Sequence, residues 1–148
     1  MSADESEVPP AVEEYLIGLF ASAGRKGGRL GGGAAGGSGG SKGGAAAARR
    51  MRTKVERRSG PSEAFPPQVW ERLDAEVPKR IDLERDGGAR FAVPLGRTGL
   101  QQVVVELDVE LVSSRGSRLT LVVYGKEGLL SRKPTRATAD RIWAAIAR

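Results

Sequence analysis

The chain has 148 residues, 24 Lys and Arg against 18 Asp and Glu for a net charge of +6, and neither Cys nor His. That length is a prior for one modest domain. Without imidazole or thiol there is no zinc-type ligand set, no thiol nucleophile and no imidazole base, so metal and cofactor chemistry is not expected, nor is a disulfide framework.

The charge is unevenly spread. Residues 1–24 hold five acids and no base, residues 25–58 hold ten basic residues against Glu56 alone, and residues 59–148 are near neutral. The acidic start lacks the positive region of a signal peptide, and no apolar run approaches the roughly 18 residues of a membrane span. A cytoplasmic protein with no membrane span is the expectation.

The first element follows Pro9-Pro10. Val12, Tyr15, Leu16, Leu19 and Phe20 fall at i, i+3, i+4, i+7 and i+8, which is one apolar stripe of an α-helix. Pro10 suits a first helical position, Glu13 and Glu14 suit the positive end of the helix dipole, and Gly24 reads as a stop. A helix this short is marginal alone, so its stripe needs a surface. The reading is a tethered amphipathic helix that docks, through residues 10–22, on a protein partner or a second copy; folding back onto its own domain is the competing reading.

From Gly24 to Gly44, 12 of 21 residues are glycine. Gly31-x-Gly33-x-x-Gly36 matches a dinucleotide fingerprint by letter only, because no strand pattern precedes it. A disordered Gly/Arg-rich tether is expected here, running over 25–61 between an acidic head (1–24) and a folded domain (62–148). Within it, Ala45 to Arg58 has helix propensity, and Arg49, Arg50, Arg52, Lys54, Arg57 and Arg58 are candidate nucleic-acid contacts. No aromatic residue lies between Gly24 and Ala64 to stack on bases, so such binding would be non-specific and salt-sensitive.

The domain opens with a helix after Pro66-Pro67 carrying Val69, Trp70, Leu73 and Val77, and ended by Pro78. Ile81 and Leu83, then Phe91, Val93 and Leu95, alternate around the turn Asp86-Gly87-Gly88; Val103 to Leu111 and Leu119 to Val123 alternate around Ser113–Ser117. A last helix bears Ile142, Trp143 and Ile146, with Thr135 or Thr138 as its cap. The expected fold is therefore α+β: a two-layer sandwich with a four-stranded antiparallel meander, an N-terminal and a C-terminal helix on its apolar face, and a wet face bearing Asp82, Glu84, Glu106, Asp108 and Glu110. Trp70 and Trp143 read as core. Arg90 and Arg118 stand opposite the carboxylates of the wet face, which makes cross-strand ion pairs the expected use of that face. The basic Arg49–Arg58 segment laid across it is another reading. The function expected is a non-enzymatic binding or adaptor module, with non-specific nucleic-acid binding as the alternative.

Overall fold

The computed structural model describes residues 7–97, 101–127 and 133–148, with backbone alone at 27 and 29–38. Its elements are α1 (Pro10–Arg50), β1 (Thr53–Ser62), α2 (Pro66–Glu76), β2 (Ile81–Leu83), β3 (Ala89–Leu95), β4 (Gln101–Ser113), β5 (Gly116–Lys126) and α3 (Pro134–Ile146). The α+β class and the antiparallel meander of β2 to β5 are as the alternation predicts. The sheet has a fifth strand, giving the order β1-β5-β4-β3-β2.

That fifth strand comes from the basic segment, where a disordered or helical stretch was expected. Thr53 to Ser62 pairs residue for residue with Lys126 to Ser117. Thr53 and Val55 are β-branched and fit a pleated surface, while the charged side chains between and after them sit at a sheet edge where water reaches them.

One face of the sheet carries the main core. Phe91, Val93, Val103, Val105, Leu107, Leu119, Leu121 and Val123 pack under α2 and α3, which contribute Val69, Leu73, Ala139, Ile142 and Ile146. Trp70 and Trp143 pack partly buried at its margin. Pro66 opens α2, and Gln68 Oε1 accepts the Phe65 N–H at 2.9 Å. At α3 neither threonine caps: Thr135 and Thr138 are buried, Lys133 takes a left-handed conformation, and Glu127 Oε1 accepts the Thr135 N–H at 3.2 Å.

The opposite face is covered at one end, so the domain has three layers rather than two. Val104, Val122 and Tyr124 form a small apolar area there, and Val12 and Leu16 of α1 are buried against it with Val8, Tyr15 and Leu19 alongside. A stripe needing a surface met a surface needing cover. Tyr15 also donates to Gln102 Oε1 at 2.8 Å.

Helical backbone continues through the glycine-rich stretch, where disorder was expected. A straight helix would separate residues 24 and 40 by about 24 Å. Instead, a Cβ added at Gly24 would collide with the Gly40 carbonyl oxygen, and one at Gly44 with that of Phe20. The segment therefore doubles back on itself. Glycine is a poor helix former, but lacking Cβ it lets the two arms meet backbone to backbone, and that packing opposes the propensity cost.

The phase of β2 also differs from the alternation reading. Ile81 and Leu83 stand opposite Ala92 and Arg90, which places them on the α1 side, and Asp82, opposite Phe91, lies on the α2 side. Three residues are too few for alternation to fix a face; the Asp86-Gly87-Gly88 turn sets the register instead.

Candidate nucleic-acid interface

Strand β1 ends the sheet on one side. Its register with β5 sorts its side chains: Val55 and Arg57 stand opposite Tyr124 and Val122, hence on the α1 side, whereas Lys54, Glu56 and Arg58 lie on the α3 side. Arg49 and Arg50 complete the last turn of α1, and Arg52 precedes the strand.

Of the six basic residues singled out from sequence, the structure leaves five exposed, with Lys54 and Arg57 on opposite faces of the β1 edge, and withdraws one. Arg49, Arg50, Arg52, Lys54 and Arg57 are exposed and form no ion pair among the described residues. Arg58 reaches across to α3, donating to Asp140 Oδ1 from Nη2 at 2.7 Å and from Nε at 3.2 Å, and to Glu56 Oε2 from Nη1 at 3.1 Å. Those bonds hold its pKa above the usual arginine value, the Asp140 bond first, against a smaller opposing effect of burial. Sequence spacing could not show this, because Asp140 is 82 positions away.

Of the carboxylates expected on the wet face, Asp82, Glu106 and Asp108 are spent internally. Glu84 and Glu110 are exposed and form no ion pair among the described residues, so the expected pairing of Arg118 with Glu110 is not formed although the two stand opposite each other. Glu106 is 6% exposed; its Oε1 accepts from Arg90 Nε at 2.8 Å and pairs with Nη2 at 2.7 Å, and its Oε2 accepts the Tyr124 hydroxyl at 3.0 Å. Arg85 grips both oxygens of Asp108, at 2.9 and 3.0 Å. Asp82, on the other face, accepts from Arg80 at 3.2 Å. The basic segment does not lie across this face; it extends the sheet beside it. Among the described residues no group of three acidic side chains is placed to hold a metal ion.

Tyr124 reports on this network. Burial first, then the neighbouring Glu106, pushes its phenol pKa up to about 12, with Arg57 and Arg85 acting in the opposite sense. A pKa raised on folding means the neutral form is favoured in the native state. Its stabilisation is complete below the unfolded value of about 10 and is lost as pH rises through the native value. Denaturant unfolding from pH 9 to 12 should therefore lose about 2–3 kcal/mol that Tyr124→Phe does not lose. Identical pH profiles for the two proteins would contradict this assignment.

The predicted docking stripe has its partner within the chain. Val12 and Leu16 are fully covered, Tyr15, Leu19 and Phe20 partly. A knot of polar contacts secures the same helix: Lys126, 5% exposed, pairs with Glu13 Oε1 and donates to the Met51 carbonyl at 3.1 Å, while Thr53 donates to Glu13 Oε2 at 2.6 Å. Burial pushes the Glu13 carboxyl up, but the bonds from Lys126 and Thr53 outweigh it and leave its pKa lowered. Among the described residues no helix is long and apolar enough to cross a membrane.

Fold and site together define a small three-layer α+β protein with a basic edge strand. No family model matches the chain, and no curated protein matches it. Among solved structures it is similar to a conserved protein of unknown function from Enterococcus faecalis, with 10% identity and TM-score 0.40 over 66% of this chain and 72% of that one. It is also similar to Ara h 8.0201, with 12% identity and TM-score 0.37 over 65% and 96% of the two chains. A protein of unknown function from Staphylococcus aureus matches with 11% identity and TM-score 0.32 over 66% and 96%.

Proposed function

We propose that the protein is a non-enzymatic, cytoplasmic accessory binder of nucleic acid, which it holds by its phosphates along the β1 edge. The observation that carries this reading is the run of five exposed cations from the end of α1 into β1, Arg49, Arg50, Arg52, Lys54 and Arg57, with no ion pair among the described residues, beside sheet arginines that are neutralised. Cations without protein partners are available to phosphates, and releasing condensed counterions supplies the affinity. With no aromatic side chain in the segment to stack on bases, the contacts available are to phosphates, which carry no sequence information.

Reversal of the two strand cations, Lys54→Glu with Arg57→Glu, tests it. Neither side chain has a hydrogen bond or ion pair to lose among the described residues, and Arg57 acts on Tyr124 through its charge alone, so the fold should persist. At about 50 mM salt, affinity for a labelled duplex should fall at least tenfold, with little dependence on duplex sequence. Unchanged affinity, or none to begin with at that salt, would reject the reading. Docking of the Val12–Phe20 stripe on a protein partner, or its self-association, belongs to a state in which α1 has left its sheet.

A further inference from the structure

On the outer surface of the helical layer, α2 and α3 enclose a groove of about 650 Å³. Ala75, Ala144 and Ala145 line it, and Arg72, Arg141 and Arg148 border it with Glu76. Two of the arginines are held in place from the side: Arg72 Nη1 donates to the Arg148 carbonyl at 2.5 Å, and Arg141 Nε pairs with Glu76 Oε1 at 3.1 Å. A guanidinium has five N–H donors in a planar fork, so fixing it through one leaves it oriented towards further acceptors.

We propose that this groove is a docking surface for an acidic amphipathic helix of a partner protein. Charge selects the sign of the occupant, since the guanidinium groups of Arg72, Arg141 and Arg148 outnumber the acceptors they meet at the groove, the Glu76 carboxylate and the main-chain oxygen of Arg148. Shape selects its kind: a lining of methyl groups lets a third helix approach two others at the close end of the usual interaxial distance of about 8–10 Å. Carboxylates at i and i+4 on that helix would lie on one side of it. The same lining holds no aromatic side chain for a nucleotide base to stack on. None of the five candidate nucleic-acid cations lines this groove, so its occupancy is tested independently of binding at the β1 edge.

The test uses the full chain and a labelled, helix-stabilised peptide of about 15 residues with glutamates at i and i+4 beside an alanine and leucine stripe, followed by fluorescence anisotropy. Saturable binding is expected, weakened about tenfold or more by Arg72→Glu with Arg141→Glu and unchanged by Lys54→Glu with Arg57→Glu. Arg141→Gln, at a half-exposed side chain, is the second variant should the double reversal fail to fold, with an expected loss of about fivefold. Absence of saturable binding, equal binding by the groove variants, or a groove variant that loses oligonucleotide affinity instead would each overturn the proposal.

Discussion

Arg90→Ala should destabilise the protein by about 3 kcal/mol, lowering the melting temperature by roughly 10 °C for a chain of this size. The guanidinium of Arg90 supplies both close cationic contacts to Glu106 Oε1, at 2.7 and 2.8 Å, and Arg85 Nε stands off at 3.7 Å. Removing it leaves a 6% exposed carboxyl with the Tyr124 hydroxyl as its one close partner. The cost arises from a buried charge left without compensation, not from the intrinsic strength of the pair. Replacing both partners by apolar residues, Arg90→Met with Glu106→Leu, should therefore recover most of the loss. Chemical denaturation of the three proteins checks this. A single mutant within about 0.5 kcal/mol of the parent would mean that the network is solvated.

Leu16→Ala should cost about 2–4 kcal/mol. Leu16 is 1% exposed between Val104, Val122 and Tyr124, and deleting its isobutyl group leaves a cavity in a cluster too small to repack. The loss should be local. Hydrogen exchange should show faster opening of residues 10–20, while β4 and β5, anchored by the larger core on the other face, keep their protection. A neutral Leu16→Ala would contradict the docked position of α1 and return the stripe to the surface, where a protein partner could take it.

The parts of this fold that were legible in the sequence are those where one physical signal dominates. β4 and β5 alternate over many residues, and their shared register on Val105, Leu107, Leu119, Leu121 and Val123 follows. Strand β1 was not legible because Lys54, Arg57 and Arg58 obscure the β-branched Thr53 and Val55, and its pairing with β5 is a tertiary event. α1 was legible only as far as its apolar stripe. Beyond Gly24 intrinsic propensity argues against helix, and the opposing effect, close contact between arms, is invisible until the chain has folded back.

The candidate site shows the same division. Composition located the cations, but which of them are neutralised depends on contacts such as Arg58 with Asp140 and Lys126 with Glu13. That Arg90 sits among the wet-face carboxylates was readable from the meander order, but its pairing with Glu106 is set by the register of β3 with β4. The location of Asp82 was not, because β2 is short.

The salt dependence of duplex binding tests the central claim most directly. Five phosphate contacts, one for each of Arg49, Arg50, Arg52, Lys54 and Arg57, predict a slope of log affinity against log salt of about −4.5, and about −3.5 for a single strand. Between about 50 and 200 mM salt the duplex affinity should thus fall by roughly two to three orders of magnitude, and Lys54→Glu with Arg57→Glu should bring the slope towards about −2.7. A slope near zero, or one that the double variant leaves unchanged, would contradict the assignment of the β1 edge as a nucleic-acid interface.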